Sequence, residues 1–250
     1  MTSHLVVASK TDTGKRRSEN QDAVLVHDVQ TPEGVVHLLA VADGVGGGPG
    51  GQLASEQTLR SLTESVMGAE TQDPPEALHD GVLLANATVK SIADQKPELA
   101  GMASTLTAAL VRDGRVWLAN VGDSRVYLIR ERNAWPLTYD HSWVAEQVEA
   151  GKMTPQQAAA DPRRNMITRA VGSDPRMAPD VYEPLALENG DILLLCSDGL
   201  YGVVGDSELA DMCSDLGPEE AVEKLVDLAN ERGGPDNISV VVARWDAGDS

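Results

Sequence analysis

STLTAALVRDGRVWLANVGDSRVYLIR, residues 104–130, carries three short apolar runs in close succession: 104–111, 116–121 and 126–130. Their lengths and β-branched content fit strands. Asp113-Gly114, between the first two runs, is the dipeptide of a two-residue hairpin turn. Strand following strand lacks the regular βαβα alternation of a doubly wound sheet. An α+β fold with helices on largely antiparallel sheets is therefore expected.

Working outward, further strand-like runs occur at 23–29, 35–42, 191–197 and 238–245. Helical patterns lie between them. Leu59, Leu62 and Val66 mark a helix over 52–66. Val82, Ala85, Val89 and Ile92 mark a second, with Asp73 as N-cap, Pro74 at the first helical position and Glu76 completing a capping box. Thr154-Pro155-Gln156-Gln157 opens a short helix in the same way. Ala221, Val222, Leu225, Leu228 and Ala229 form the apolar stripe of another.

The chain has 250 residues, 42% of them hydrophobic, enough for a sizeable core. Its formal net charge is −19, which disfavours nucleic acid and anionic lipid, because both require Lys and Arg against phosphate. No apolar run reaches the ~18–20 residues of a membrane span, and the N-terminus has no secretory pattern. Cys196 and Cys213 are too few for a disulfide framework and suit a reducing, cytoplasmic setting. Cys196 sits in an apolar run and reads as core.

The glycine-dense stretch LLAVADGVGGGPGG, 38–51, could surround phosphates, a metal ion held by Asp43, or nothing. A Walker A loop is excluded, since no lysine lies between Lys15 and Lys90. Gly46, Gly48 and Gly51 match G-x-G-x-x-G, a pattern any glycine-rich loop produces. Asp43 has counterparts: Asp198-Gly199 ends another apolar run, Asp123 follows a third, Asp236 precedes a fourth, and Asp22 opens an early one. Carboxylates at strand ends beside glycine suit a hard cation, whereas Asp-Gly is also common turn chemistry. Spacing alone leaves both open.

Eight segments, in order, resemble the metal-dependent protein phosphatases of the 2C type, in their bacterial serine/threonine branch. They are TDTGKRRSENQDA (11–23), VADGVGGG (41–48), GMASTLTAALV (101–111), NVGDSRVYLIR (120–130), LTYDHSWVAEQVEAG (137–151), RRNMITRAVG (163–172), GDILLLCSDGL (190–200) and GGPDNISVVVAR (233–244). The resemblance implies a four-layer α-β-β-α sandwich, two central antiparallel sheets flanked by helices, as a single catalytic domain over 1–250. It implies hydrolysis of phosphoserine and phosphothreonine in proteins by direct attack of a metal-bridging water. Asp43 would bridge two Mn²⁺ or Mg²⁺ ions, with the Gly44 carbonyl as a further ligand; Asp198 and Asp236 would complete the first ion, and Asp22 would act mainly through coordinated water. Asp123, with Asp198, would hold an additional ion, and Arg17 would grip the phosphate. Asn20 and Asn237 would orient the ligands, and residues 141–169 would form a flap beside the cleft. The implied partners are phosphorylated substrates of a Ser/Thr kinase, acted on by a monomer.

Two departures stand out. Bacterial relatives commonly carry histidine where this chain has Gly48, and often histidine where it has Asp161. Proton delivery to the leaving group thus falls to a metal-bound water, Asp161 or His141. General acid catalysis is worth ~10²–10⁴-fold, so a preference for acidic leaving groups such as aryl phosphates is expected. The alternative to an enzyme is a pseudophosphatase, a phosphoprotein-binding or scaffolding module. All five aspartates that degenerate members lose are present.

Overall fold

The computed structural model describes residues 4–31, 34–45, 50–68 and 73–248. In chain order the strands are β1 (His4–Asp12), β2 (Asp22–Thr31), β3 (Gly34–Val45), β4 (Ala103–Ser104), β5 (Leu106–Arg112), β6 (Arg115–Val121), β7 (Arg125–Arg130), β8 (Asn133–Pro136), β9 (Asp180–Ala186), β10 (Ile192–Cys196) and β11 (Ile238–Asp246). The helices are α1 (Gly51–Gly68), α2 (Pro74–Gln95), α3 (Trp143–Glu149), α4 (Pro155–Ala160), α5 (Asp198–Tyr201), α6 (Asp206–Asp215) and α7 (Pro218–Glu231).

The strands form two antiparallel sheets. One runs β1-β11-β10-β7-β8; the other runs β2-β3-β5-β6-β9, with β4 added against β3. The expected hairpin closes between β5 and β6, where Asp113 and Gly114 both take positive φ, 50° and 71°.

Strand alternation sorts the core into layers. In β3, Leu38, Ala40 and Ala42 pack with Leu59, Leu62, Leu78, Val82 and Val89 of α1 and α2. Leu39 and Val41, pointing the other way, pack with Leu193, Leu195, Val241 and Ala243 of the opposite sheet. The far face of that sheet, including Leu194, Val240 and Val242, packs on Leu209, Val222, Leu225 and Ala229 of α6 and α7. The result is the α-β-β-α sandwich, and the helical stripes foreseen from spacing face inward.

Two capping expectations end differently. Thr154 and Gln157 make the reciprocal capping box of α4. Asp73 is the N-cap of α2, but its side chain makes no cap hydrogen bond, so the box with Glu76 does not form. β1, β8, β9, α3 and α6 had no clear signature in the sequence. β1 alternates exposed and half-buried positions at a sheet edge, which blurs its pattern. Among the described residues, no helix is long and apolar enough to cross a membrane.

Candidate metal centre

Antiparallel register carries the aspartates to one end of both sheets. Asp22, the first residue of β2, lies directly opposite Asp43 near the end of β3. Cys196 at the end of β10 pairs with Val240 of β11 and Arg125 of β7. Asp198, Asp236 and Asp123 therefore sit just beyond that same edge. Asp123 occupies the crossing where the chain leaves β6 in one sheet for β7 in the other.

Each position is held by specific bonds. The Asp43 N–H donates to Thr105 Oγ1 at 2.9 Å, and its carbonyl accepts from Thr105 N at 2.8 Å and Ser104 Oγ at 3.0 Å. Gly44 N donates to the Gln21 carbonyl at 3.1 Å. A Cβ on Gly44 would lie 2.2 Å from the Gly51 carbonyl oxygen, so only glycine lets α1 begin against this strand. Ser197 Oγ donates to Asp22 Oδ2 at 2.7 Å and accepts from Ser239 N at 3.0 Å. A Cβ on Gly199 would meet the Asn237 carbonyl oxygen at 1.9 Å, so the Asp198 turn abuts the Asp236-Asn237 segment.

Asn237 works through a loop. Its Oδ1 accepts from Gln21 N, and its Nδ2 donates to the Thr13 and Glu19 carbonyls, each at 2.9 Å. It thereby pins the 13–21 loop that carries Arg17. Asn20 accepts from the Asp22 N–H at 3.2 Å and donates to Thr11 Oγ1 at 2.8 Å. Arg17 Nη2 donates to Asp236 Oδ2 at 2.8 Å, and that bond raises the guanidinium pKa.

The electrostatics are those of crowded, desolvated acids. Burial, then Asp123, Asp236 and Asp22, push the Asp198 carboxyl up to about 8. Burial raises Asp43 well above the carboxylate range, and Asp22, Asp198, Asp123 and Asp236 add to the shift. Asp22 rises to about 6, by burial against the opposing Ser197 bond. Asp123 rises to about 6, by burial and the charge of Asp140. Among the described residues, Oδ1 of Asp22 and Oδ1 of Asp198 are buried without a hydrogen-bond partner. Orphaned anionic oxygens facing other carboxylates are the donor set a hard cation satisfies. Among the described residues, no three His, Cys, Asp or Glu side chains converge closely enough to hold an ion as they stand.

The two candidate proton donors are differently placed. Asp161 is gripped by Arg163 through bonds of 3.0 Å to each carboxylate oxygen, and this lowers its pKa. Such a group holds no proton to give. His141 is 3% exposed and its pKa is lowered by burial. Its Nδ1 accepts from Gly122 N at 3.0 Å, while Nε2 faces Asp180 Oδ2 at 3.0 Å. Both ring nitrogens are committed inside the fold. Gly48 lies outside the described residues, as do Gly46 and the intervening positions.

Ser197, Thr105, Gln21, Arg125, Asp140 and Tyr201 were not foreseen. Ser197 and Arg125 lie inside the segments SDG and GDSR, so proximity to Asp198 and Asp123 was the available signal.

The Protein phosphatase 2C family model matches residues 8–238. Protein phosphatase PhpP of Streptococcus pneumoniae is 36% identical over 246 residues, covering 96% of this chain and 97% of that protein. Serine/threonine protein phosphatase PstP of Mycobacterium tuberculosis is 34% identical over 237 residues; the match takes in 94% of this chain but spans only 44% of that relative's length. Among solved structures, the PstP catalytic domain in complex with two manganese ions superposes with a TM-score of 0.85 at 33% identity, covering 98% of this chain and 100% of that one. Fold, strand-end aspartates and relatives agree: the chain belongs to the protein phosphatase 2C family.

Proposed function

We propose that this chain is a divalent-cation-dependent phosphatase acting on phosphoserine and phosphothreonine in proteins. The observation that carries the proposal is the pair of partnerless buried oxygens, Asp22 Oδ1 and Asp198 Oδ1, among five acidic side chains at one sheet edge. The relatives' names, which describe serine/threonine protein phosphatases, support the substrate class.

Asp43, Asp22, Asp198, Asp236 and the Gly44 carbonyl would hold two Mn²⁺ or Mg²⁺ ions, and Asp123 with Asp198 would hold an additional one. Bound there, such ions supply Lewis acidity: they acidify water and neutralise charge on phosphoryl oxygens. The protein's own part is positioning. Arg17, on the loop pinned by Asn237, would turn its fork to two phosphoryl oxygens and orient the phosphorus for in-line attack. Residues 141–169, which contain α3 and α4, would form the flap beside the cleft and carry substrate choice. The opposing enzyme would be a Ser/Thr kinase, and the chain would act as a cytoplasmic monomer. A scaffolding role is not favoured, because every acidic ligand position is filled.

The test is hydrolysis of p-nitrophenyl phosphate and of a phosphothreonine peptide with Mn²⁺, with chelator, and with Asp198→Asn. Loss of turnover in the latter two is expected. Undiminished hydrolysis in either overturns the proposal.

A further inference from the structure

Asp123 lies on a three-residue crossing between the two sheets, Gly122–Ser124. Its neighbours on both sides are held by one dipeptide. Asp140 receives Arg125 in a two-pronged contact, Nε to Oδ1 at 2.8 Å and Nη2 to Oδ2 at 2.7 Å. The next residue, His141, accepts the Gly122 N–H on Nδ1 at 3.0 Å and returns its own N–H to the Gly122 carbonyl at 2.8 Å. Residues 140 and 141 thus grip positions 125 and 122, and Asp123 is between them.

The grip is itself braced. The Arg125 guanidinium stacks 3.8 Å from the Tyr201 ring centre, and Tyr201 OH donates to the Asp123 carbonyl at 3.0 Å. His141 Nε2 is fixed by Asp180, whose other oxygen takes Arg169 Nη1 at 2.7 Å. Gly122 has φ +102°, and a Cβ there would lie 2.6 Å from Thr105 Cγ2, the residue that also holds Asp43. Both ends of the 141–169 segment meet at this point, through Thr168 N to the His141 carbonyl at 2.8 Å and a bridge between Ser142 and Ile167.

We propose that Asp140 and His141 are positioning residues that clamp Gly122 and Arg125 and so set the Asp123 carboxylate for a divalent cation. The inference rests on the assignment of Asp123 as ligand of an additional ion. His141 acts here as a hydrogen-bond acceptor in the scaffold, not as a proton donor.

The experiment is a Mn²⁺ titration of the full chain, with free ion followed by electron paramagnetic resonance. Asn carries an oxygen where His carries Nδ1, and Gln carries an amide where His carries Nε2. His141→Asn therefore keeps the Gly122 contact, and His141→Gln keeps only the Asp180 contact. Wild type is expected to bind one more ion than Asp123→Asn. His141→Gln should weaken that ion alone by about 10-fold or more, the usual effect of removing a partner behind a ligand. His141→Asn should restore it to within about twofold, a distinction that mere loss of packing does not produce. Wild-type binding by His141→Gln, or equal loss in both variants, overturns the clamp. Identical isotherms for Asp123→Asn and wild type overturn the ion assignment and the clamp with it. If His141→Gln lacks a native near-UV spectrum, Asp140→Asn decides: the same selective weakening supports the clamp, and an unchanged extra ion overturns it.

Discussion

Ser197 Oγ donates to Asp22 Oδ2 at 2.7 Å, joining the end of β10 in one sheet to the start of β2 in the other. Ser197 also accepts from Ser239 N, so three segments meet at one hydroxyl. Ser197→Ala leaves a buried donor and a carboxylate oxygen unpaired. Each unsatisfied group costs about 1–3 kcal/mol. Thermal denaturation should show a lowered Tm, and the Mn²⁺ concentration for half-maximal activity should rise about 10-fold. An unchanged metal requirement would show that Asp22 needs no such anchor.

Glycine at 199 is required by contact. Gly199→Ala puts a methyl 1.9 Å from the Asn237 carbonyl oxygen, against backbone that cannot step aside cheaply. Overpacking of this kind costs about 1–3 kcal/mol or more, and here it also displaces Asp198 from Asp236. Gly68→Ala, with nothing among the described residues within 4 Å of the new methyl, serves as the control. Urea denaturation and turnover should both separate the two variants.

Arg17→Ala should reduce kcat/KM. Hydrogen bonds to charged groups contribute about 1.5–3 kcal/mol, so a fall of about 10–100-fold is expected. Lys, a point charge without the fork, should recover only part of it. Full activity in Arg17→Ala would assign the arginine to the surface cluster with Lys15 and Arg16.

Asp161 is held by Arg163, and His141 is bonded through both ring nitrogens. Asp161→Asn should leave turnover of a phosphoserine peptide within about twofold of wild type, against the ~10²–10⁴-fold expected for loss of a general acid. The chain should favour aryl phosphates over phosphoserine peptides, because their leaving groups need no proton. Equal, chemistry-limited turnover of both classes would contradict this.

The thiols should be inert. Cys196 is fully buried and burial pushes its pKa far above the usual thiol range; Cys213 is pushed up to about 12. At pH 8 the native chain should resist alkylation by iodoacetamide for as long as it stays folded. Mass spectrometry reads this directly.

Much of the fold was legible. The β5–β6 hairpin declared itself through Asp113-Gly114, and the α1, α2 and α7 stripes through helical spacing, because these signals are local. The α4 capping box was equally local and formed. The box at Asp73 was the same pattern and did not, since the Asp73 side chain makes no cap bond. Strands at sheet edges, β1 and β9, escaped because their partly exposed positions do not sort apolar from polar residues, as the exposed Val6 of β1 shows.

At the metal centre, residue types and neighbours pointed to Asp22, Asp43, Asp123, Asp198 and Asp236, for carboxylate chemistry is written in the side chain. Their meeting at one edge is a product of antiparallel register, which brings together residues as far apart as 22 and 236. The fates of His141 and Asp161 were equally out of reach of the sequence. A histidine becomes a scaffold acceptor, and an aspartate a tethered anion, only through partners that folding supplies. Composition and spacing determined what chemistry the chain contains; tertiary contacts decided which groups keep a free oxygen, because burial and pairing set the energy of every charge.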